Sequence, residues 1–181
     1  MSSLTTKRIM NKMKQLSNYI GEELTLMQPS FFKREFEFHS SSEILAKMYY
    51  PKLFGLSVIV EGFDDKYELF KPSFWKTEVG IRKFGYELSF ASLTTNFFRT
   101  KGKIAFQNGQ VINLKFGAFK KLCEVYSENE ELLVEIKNQF SFKDKNSVTI
   151  LKPSSLLDEN PWIIMMIWYF LIENKKNGAG S

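Results

Sequence analysis

The side chains able to do covalent or acid–base chemistry are few and scattered. His39 is the only histidine and Cys123 the only cysteine in the 181 residues. Neither a triad built on serine and histidine nor a tetrahedral zinc site can be argued from one residue of each kind. Cys123 lies in the apolar alternation of KKLCEVY (120–126), the setting of a small buried hydrophobe rather than a nucleophile. A lone cysteine also excludes an intramolecular disulfide and fits a reducing compartment. Carboxylates are paired at Asp64-Asp65 and Glu130-Glu131, but both pairs fall in turn-like stretches. Nothing there sets two acids across a cleft, as general acid–base work requires. Gly80, Gly85, Gly102 and Gly109 are spaced as strand and turn glycines, not as a phosphate loop ahead of a helix. The expectation is a protein that is not an enzyme and needs no cofactor or metal.

What remains is charge. The net charge is +5, and residues 1–20 hold Lys7, Arg8, Lys12 and Lys14 with no acid. Removing those four from the 25 lysines and arginines leaves 21 basic against 20 acidic residues in the other 161, so the body is almost neutral. A nucleic-acid-binding domain would normally show a basic face mixed with polar readers. Here there are only short clusters such as Lys33-Arg34, Arg82-Lys83, Lys120-Lys121 and Arg99-Thr-Lys-Gly-Lys103, so nucleic acid is not favoured. The candidate contacts are Lys7, Arg8, Lys12 and Lys14, with Arg99, Lys101 and Lys103 on a turn-like segment as a second patch. Each of these taken singly reads as a solvated surface charge.

The elements that must position these residues are mostly strands. Eighteen Phe, seven Tyr and three Trp are spread through short alternating runs, the pattern of half-buried β-structure. The runs are ELTLMQ (23–28), FKREFEFH (32–39), EILAKMYY (43–50), LSVIVEG (56–62), KYELFK (66–71), TEVGIRK (77–83), YELSFAS (86–92) and TTNFFRT (94–100). KIAFQ, QVINLKFG, KKLCEVY, LLVEIKN, QFSFKD and SVTILK follow, ending at Lys152. Turn signals fall between them every eight to twelve residues or so, as in a sandwich or barrel, and no proline interrupts a run. For KIAFQNGQVINLKF a two-residue Asn108-Gly109 loop would split the large apolar groups between two faces. A three-residue loop, Gln107 to Gly109, sets Ile104 opposite Ile112 and gives Gly109 the left-handed position that follows a type I turn. Similar turns read at Asp64-Asp65 and at Ser127 to Glu130. Consecutive hairpins make a meander, which must close or protect its edges.

Two segments are not strands. In residues 1–22, Ile9, Met13, Leu16 and Ile20 fall at helical spacing with lysines between them. That makes a short basic amphipathic helix, docked loosely on the protein or lying on a membrane surface; a mitochondrial presequence is a third reading, poorly served by a single arginine. No apolar stretch of a secretory signal is visible. At the other end, PWIIMMIWYFLIEN has eleven consecutive apolar residues, Trp162 to Ile172. Asn160 as N-cap, Pro161 at the first position and the acids Asp158 and Glu159 bound a helix over 161–173, with Lys175-Lys176 after its last turn. At ~1.5 Å per residue it is about 20 Å long, short of a bilayer core of about 30 Å. It is apolar on every side, so it belongs inside the protein. A small β domain with a C-terminal membrane anchor is the alternative, because Trp162, Trp168 and Tyr169 carry rings that also populate membrane interfaces. Residues 175–181 read as a flexible tail.

A mainly β chain of about twelve antiparallel strands, entered through Leu156-Leu157-Asp158 and closed by WIIMMIWYFLI, resembles the Tubby C-terminal-like superfold. That group includes the Tubby domain, the plant LURP-one-related proteins and the phospholipid scramblases. The resemblance covers roughly residues 23–174. It implies a closed barrel wound on a central hydrophobic C-terminal helix, with no internal ligand cavity. Tubby domains bind phosphoinositide headgroups through basic surface residues, but no motif here aligns residue by residue, so none of those positions is carried over. The calcium-binding segment and the cysteine-rich region of scramblases have no counterpart, so scrambling is not implied. The resulting expectation is a cytoplasmic, non-enzymatic binding module, peripheral at a membrane, that contacts anionic phospholipid or a partner protein through its basic surface.

Overall fold

A computed structural model describes residues 15–30, 33–51, 57–72, 78–117, 121–139 and 145–178. Twelve strands are present among the described residues: β1 (Glu23–Met27), β2 (Glu35–His39), β3 (Ile44–Tyr49), β4 (Ser57–Gly62), β5 (Asp65–Phe70), β6 (Val79–Lys83), β7 (Ala91–Thr95), β8 (Lys101–Phe106), β9 (Val111–Phe116), β10 (Lys121–Tyr126), β11 (Leu132–Gln139) and β12 (Lys145–Ile150). Each pairs antiparallel with its sequence neighbours, and β1 pairs with β12 as well as β2, so the sheet closes into a barrel with no free edge. Closure solves the edge problem that a long meander creates.

The β8–β9 hairpin has the expected register. Ile104 faces Ile112, both with no exposed surface, and Gly109 has φ 87°. The Phe106 amide donates to the Gln110 carbonyl at 3.0 Å, which closes the three-residue loop. At the β4–β5 turn the loop residues are Phe63 and Asp64, both at positive φ, and Asp65 already pairs with Gly62. The turn expected at Asp64-Asp65 therefore sits one residue earlier, because buried Phe63 points inward and packs on Phe38, with ring centroids 6.2 Å apart.

The two runs YELSFAS and TTNFFRT are not two strands. They supply the single strand β7, preceded by an irregular stretch and followed by a turn. Tyr86 and Leu88 are exposed where a strand facing would have buried alternate residues, and Gly85 breaks the backbone direction at φ 85°. QFSFKD falls mostly outside the described residues; its Gln139 ends β11.

The C-terminal segment fills the barrel. Trp162 to Phe170 are each at most 3% exposed. Trp168 meets Phe36 on β2 at 5.2 Å, Trp162 meets Tyr67 on β5 at 6.3 Å and Phe106 on β8 at 5.7 Å, and Phe170 meets Phe116 on β9 at 4.9 Å. β2 and β8 lie six positions apart in the ring of twelve, on opposite sides, so the helix is surrounded rather than laid on one face. Gly102 on β8 leaves the space the Phe116 ring occupies, since a Cβ there would stand 2.8 Å from that ring.

The helix boundaries differ from the sequence reading. α1 (Ser155–Glu159) comes first, capped by Ser154, whose hydroxyl accepts from the Leu157 amide. Asn160 serves as its C-cap: its amide donates to the Leu157 carbonyl at 3.2 Å and its side chain to the Leu156 carbonyl at 3.0 Å. Asp158 and Glu159 thus belong to α1, and the long helix α2 (Ile163–Gly178) starts two residues after Pro161. The short helix carries the chain from the barrel wall at β12 across the mouth to the axis. Residues 175–178 are helical where a tail was expected, since lysines in a last turn suit the negative end of the helix dipole. Of the N-terminal segment only a 3-10 turn, Leu16–Tyr19, is described; Leu16 is buried and Ile20 is 44% exposed, so the expected shared apolar face does not hold for that pair. No helix among the described residues is long and apolar enough to cross a membrane.

Candidate functional site

The strand directions give the barrel two unlike ends. α1 and the 3-10 turn lie at the end where α2 enters; the Ser17 amide and hydroxyl both donate to Asp158 there. α2 leaves at the other end, where Glu173 accepts from the Tyr50 hydroxyl at 2.7 Å and pairs with Lys71 at 3.2 Å. Tyr50 follows β3 and Lys71 follows β5, so this exit end also bears the tip of the β7–β8 hairpin. Burial first, and then the Glu173 carboxylate, push the Tyr50 hydroxyl well above its usual range, so it stays a hydrogen-bond donor to Glu173 at every ordinary pH.

The hairpin tip is built from Asn96 to Thr100. Asn96 Oδ1 accepts from the amides of Thr100 and Lys101 at 2.9 and 3.0 Å, and its Nδ2 donates to the Thr100 hydroxyl at 3.0 Å. The Arg99 amide donates to the Asn96 carbonyl at 3.0 Å, and Arg99 takes φ 54°, the left-handed conformation that glycine usually fills. This frame thrusts two side chains outward. Phe97 is 93% and Phe98 78% exposed, their rings edge to face with centroids 5.3 Å apart.

Beside the tip, alternation places Lys101 and Lys103 on the outer face of β8, since Ile104 faces in. The register with β9 sets Lys101 directly opposite Lys115. Like charges in that position destabilise a sheet locally. On its other side Lys115 faces Glu124 of β10, and its amine lies 4.2 Å from the centre of the Tyr126 ring.

Apart from the Lys71–Glu173 pair, the cations described at this end differ from those on the rest of the barrel. Elsewhere cations find acids: Lys47 with Glu37, Lys66 with Glu61, Arg82 with Glu68, Lys83 with Asp65 and Lys152 with Glu131. Burial acts to raise Glu37 and Asp65, yet hydrogen bonds from Lys47 and His39 to the first, and from Lys83 to the second, hold both below the usual carboxylate range. Among the described residues, Arg99, Lys101, Lys103 and Lys115 have no ion pair, nor do Lys33 before β2 and Lys145 at the start of β12. All six lie at the exit end by strand direction. The loops of the entry end are acidic instead, with Glu43, Asp64, Glu87, Glu128 and Glu130.

Of the positions singled out in the sequence, Arg99, Lys101 and Lys103 share this hairpin. Lys7, Arg8, Lys12 and Lys14 lie outside the described residues, and the described chain begins at the entry end, opposite Arg99. Sequence reasoning missed Lys115, which the β8–β9 register brings opposite Lys101, and Phe97-Phe98, which were read as part of a strand. The signal for the phenylalanines was present: adjacent rings in a strand would have to face both ways. Cys123 is buried, and burial pushes its thiol well above the usual range, where it is inert. His39 bonds to Glu37 at 2.8 Å. No group of three or more His, Cys, Asp or Glu that could hold a metal ion occurs among the described residues.

The fold and the site define a closed, twelve-stranded antiparallel barrel filled by its own C-terminal helix, with unpaired cations and exposed phenyl rings gathered at one end. No protein-family model matches the chain, and no curated protein or solved structure matches it either.

Proposed function

We propose that the chain is a non-enzymatic binding module, cytoplasmic and peripheral at a membrane, that docks the exit end of its barrel on anionic phospholipid. The observation that carries this reading is the gathering at one end of six cations that have no ion pair among the described residues, while the lysines and arginines described at the entry end are paired. An interior occupied by α2 leaves the outside of the barrel for binding. Membership of the Tubby C-terminal-like superfold is proposed on the architecture alone, twelve strands wound on a C-terminal helix.

Each lysine or arginine near an anionic surface is worth about 1 kcal/mol. Arg99, Lys101, Lys103 and Lys115 would together supply about 4 kcal/mol, the equivalent of a roughly millimolar dissociation constant. Such binding is weak and salt-sensitive. Co-sedimentation of the full chain with phosphatidylcholine vesicles, with and without phosphatidylserine, tests it. Binding only to the anionic vesicles, lost in high salt and in the variant Arg99→Glu/Lys103→Glu, is the expected result. Absence of binding at low salt removes the lipid reading. Equal binding of an acidic protein or of single-stranded nucleic acid would move the site to another partner class.

A further inference from the structure

Resting on the lipid reading above, we propose that Phe97 and Phe98 form a wedge that enters the bilayer interface and stands the barrel upright, its α2 exit end against the membrane. Two large rings, 93% and 78% exposed, sit side by side on a hairpin tip. Such an apolar pair is costly in water and has no interior partner among the described residues, because β7 ends at Thr95 and the rings contact each other. The tip is also stiff. The Asn96 side chain bonds three groups of Thr100 and Lys101, and Arg99 is held at positive φ, so the rings are presented rather than left to fold back.

Charge chooses the occupant. Arg99 follows the rings directly, and Lys101 and Lys103 continue along the outer strand without an acid among the described residues. A surface that accepts phenyl rings and ammonium groups within one hairpin has apolar and anionic layers a few ångströms apart, as the headgroup boundary of an anionic bilayer does. A two-fold pairing of this tip with itself would set these cations against each other. Stacking of nucleic-acid bases needs ring faces in a groove that follows a strand; here the rings are on a convex tip, packed edge to face on one another. Anchoring by charge alone is marginal, and a second, apolar signal is what makes peripheral binding stable.

The orientation gives the test. Cys123 is 1% exposed, so a cysteine introduced at Phe98→Cys, or at Leu88→Cys near the acidic entry end, can be labelled selectively with an environment-sensitive fluorophore on the full chain. Vesicles of phosphatidylcholine and phosphatidylserine carrying a quencher in the acyl chains then report depth. A label at 98 that is quenched while one at 88 is not is the expected result. The double variant Phe97→Ser/Phe98→Ser should also lower the partition coefficient by roughly tenfold or more, most clearly in high salt, with an unchanged melting temperature. If the protein sediments with anionic vesicles and neither label is quenched, the wedge is wrong and the electrostatic reading survives. Quenching at 88 overturns the orientation. Failure to bind any vesicle overturns both.

Discussion

Ser17 and Asp158, 141 positions apart, are joined by two hydrogen bonds: the Ser17 amide and hydroxyl both donate to the Asp158 carboxylate, at 2.8 and 2.7 Å. The pair fastens the 3-10 turn to α1, the piece of chain that steers α2 into the barrel, and it does so beside the fully buried Leu16. Asp158→Ala leaves two donors without their acceptor, an expected loss of ~1–3 kcal/mol. Hydrogen exchange at residues 15–20 should accelerate in the variant, and Asp158→Asn, which keeps one acceptor oxygen, should lose less. Vesicle binding should be unchanged, because this contact is at the entry end.

The buried run from Trp162 to Phe170, with Met166 at its centre, sets the stability of the whole fold. Met166 has no exposed surface and lies on a helix ringed by strands. Met166→Asp would bury a charge with no partner, a change proteins avoid by not folding. No cooperative unfolding transition is expected for that variant, whereas Met166→Leu, nearly equal in volume, should cost less than ~1.5 kcal/mol by urea titration. A folded Met166→Asp protein with an intact β spectrum would show that α2 is not structural.

Much of this architecture was legible because it depends on parity and on run length. Ile104 and Ile112 could be placed opposite each other since only one loop length collects the five large groups of that hairpin on one face. Trp162 to Ile172 could be placed inside since the run is apolar on every side and too short to span a bilayer; Trp162 to Phe170 are buried and Leu171 and Ile172 half-buried. Asn160 misled because the same side chain suits either end of a helix, and α1 used it first. The site was half legible. Arg99, Lys101 and Lys103 are adjacent in sequence, but that no acid faces them depends on which residues of β7 and β9 pair with β8, and Lys115 enters only through that pairing. Phe97 and Phe98 were hidden by their resemblance to strand residues.

Two glycines should respond differently to alanine. At Gly109 (φ 87°) an added Cβ meets nothing within 4 Å, so Gly109→Ala should cost only the left-handed backbone penalty of ~1–2 kcal/mol. Gly62 has φ 151°, and a Cβ there would meet the Leu45 carbonyl oxygen and stand 2.5 Å from the Ala46 Cα, backbone atoms that cannot rotate away. Gly62→Ala should therefore cost at least ~3 kcal/mol. Urea midpoints of the two variants provide the comparison, and a smaller loss at 62 than at 109 would contradict the close approach of β3 and β4.

Lys101 lets stability and binding be separated. It stands directly opposite Lys115 with no acid paired to it, an arrangement that costs the sheet a few tenths to ~1 kcal/mol. Lys101→Glu turns that repulsion into attraction, so the urea midpoint should rise. The same substitution removes one positive charge from the exit end and adds a negative one. At about 1 kcal/mol per charge near an anionic surface, vesicle affinity should fall roughly 30-fold. Opposite signs in the two measurements are what a binding surface predicts, since a residue kept for the fold alone would lower stability when changed and leave binding as it was. If Lys101→Glu raises the midpoint and leaves anionic-vesicle binding intact, the unpaired lysines of β8 and β9 are not the contact.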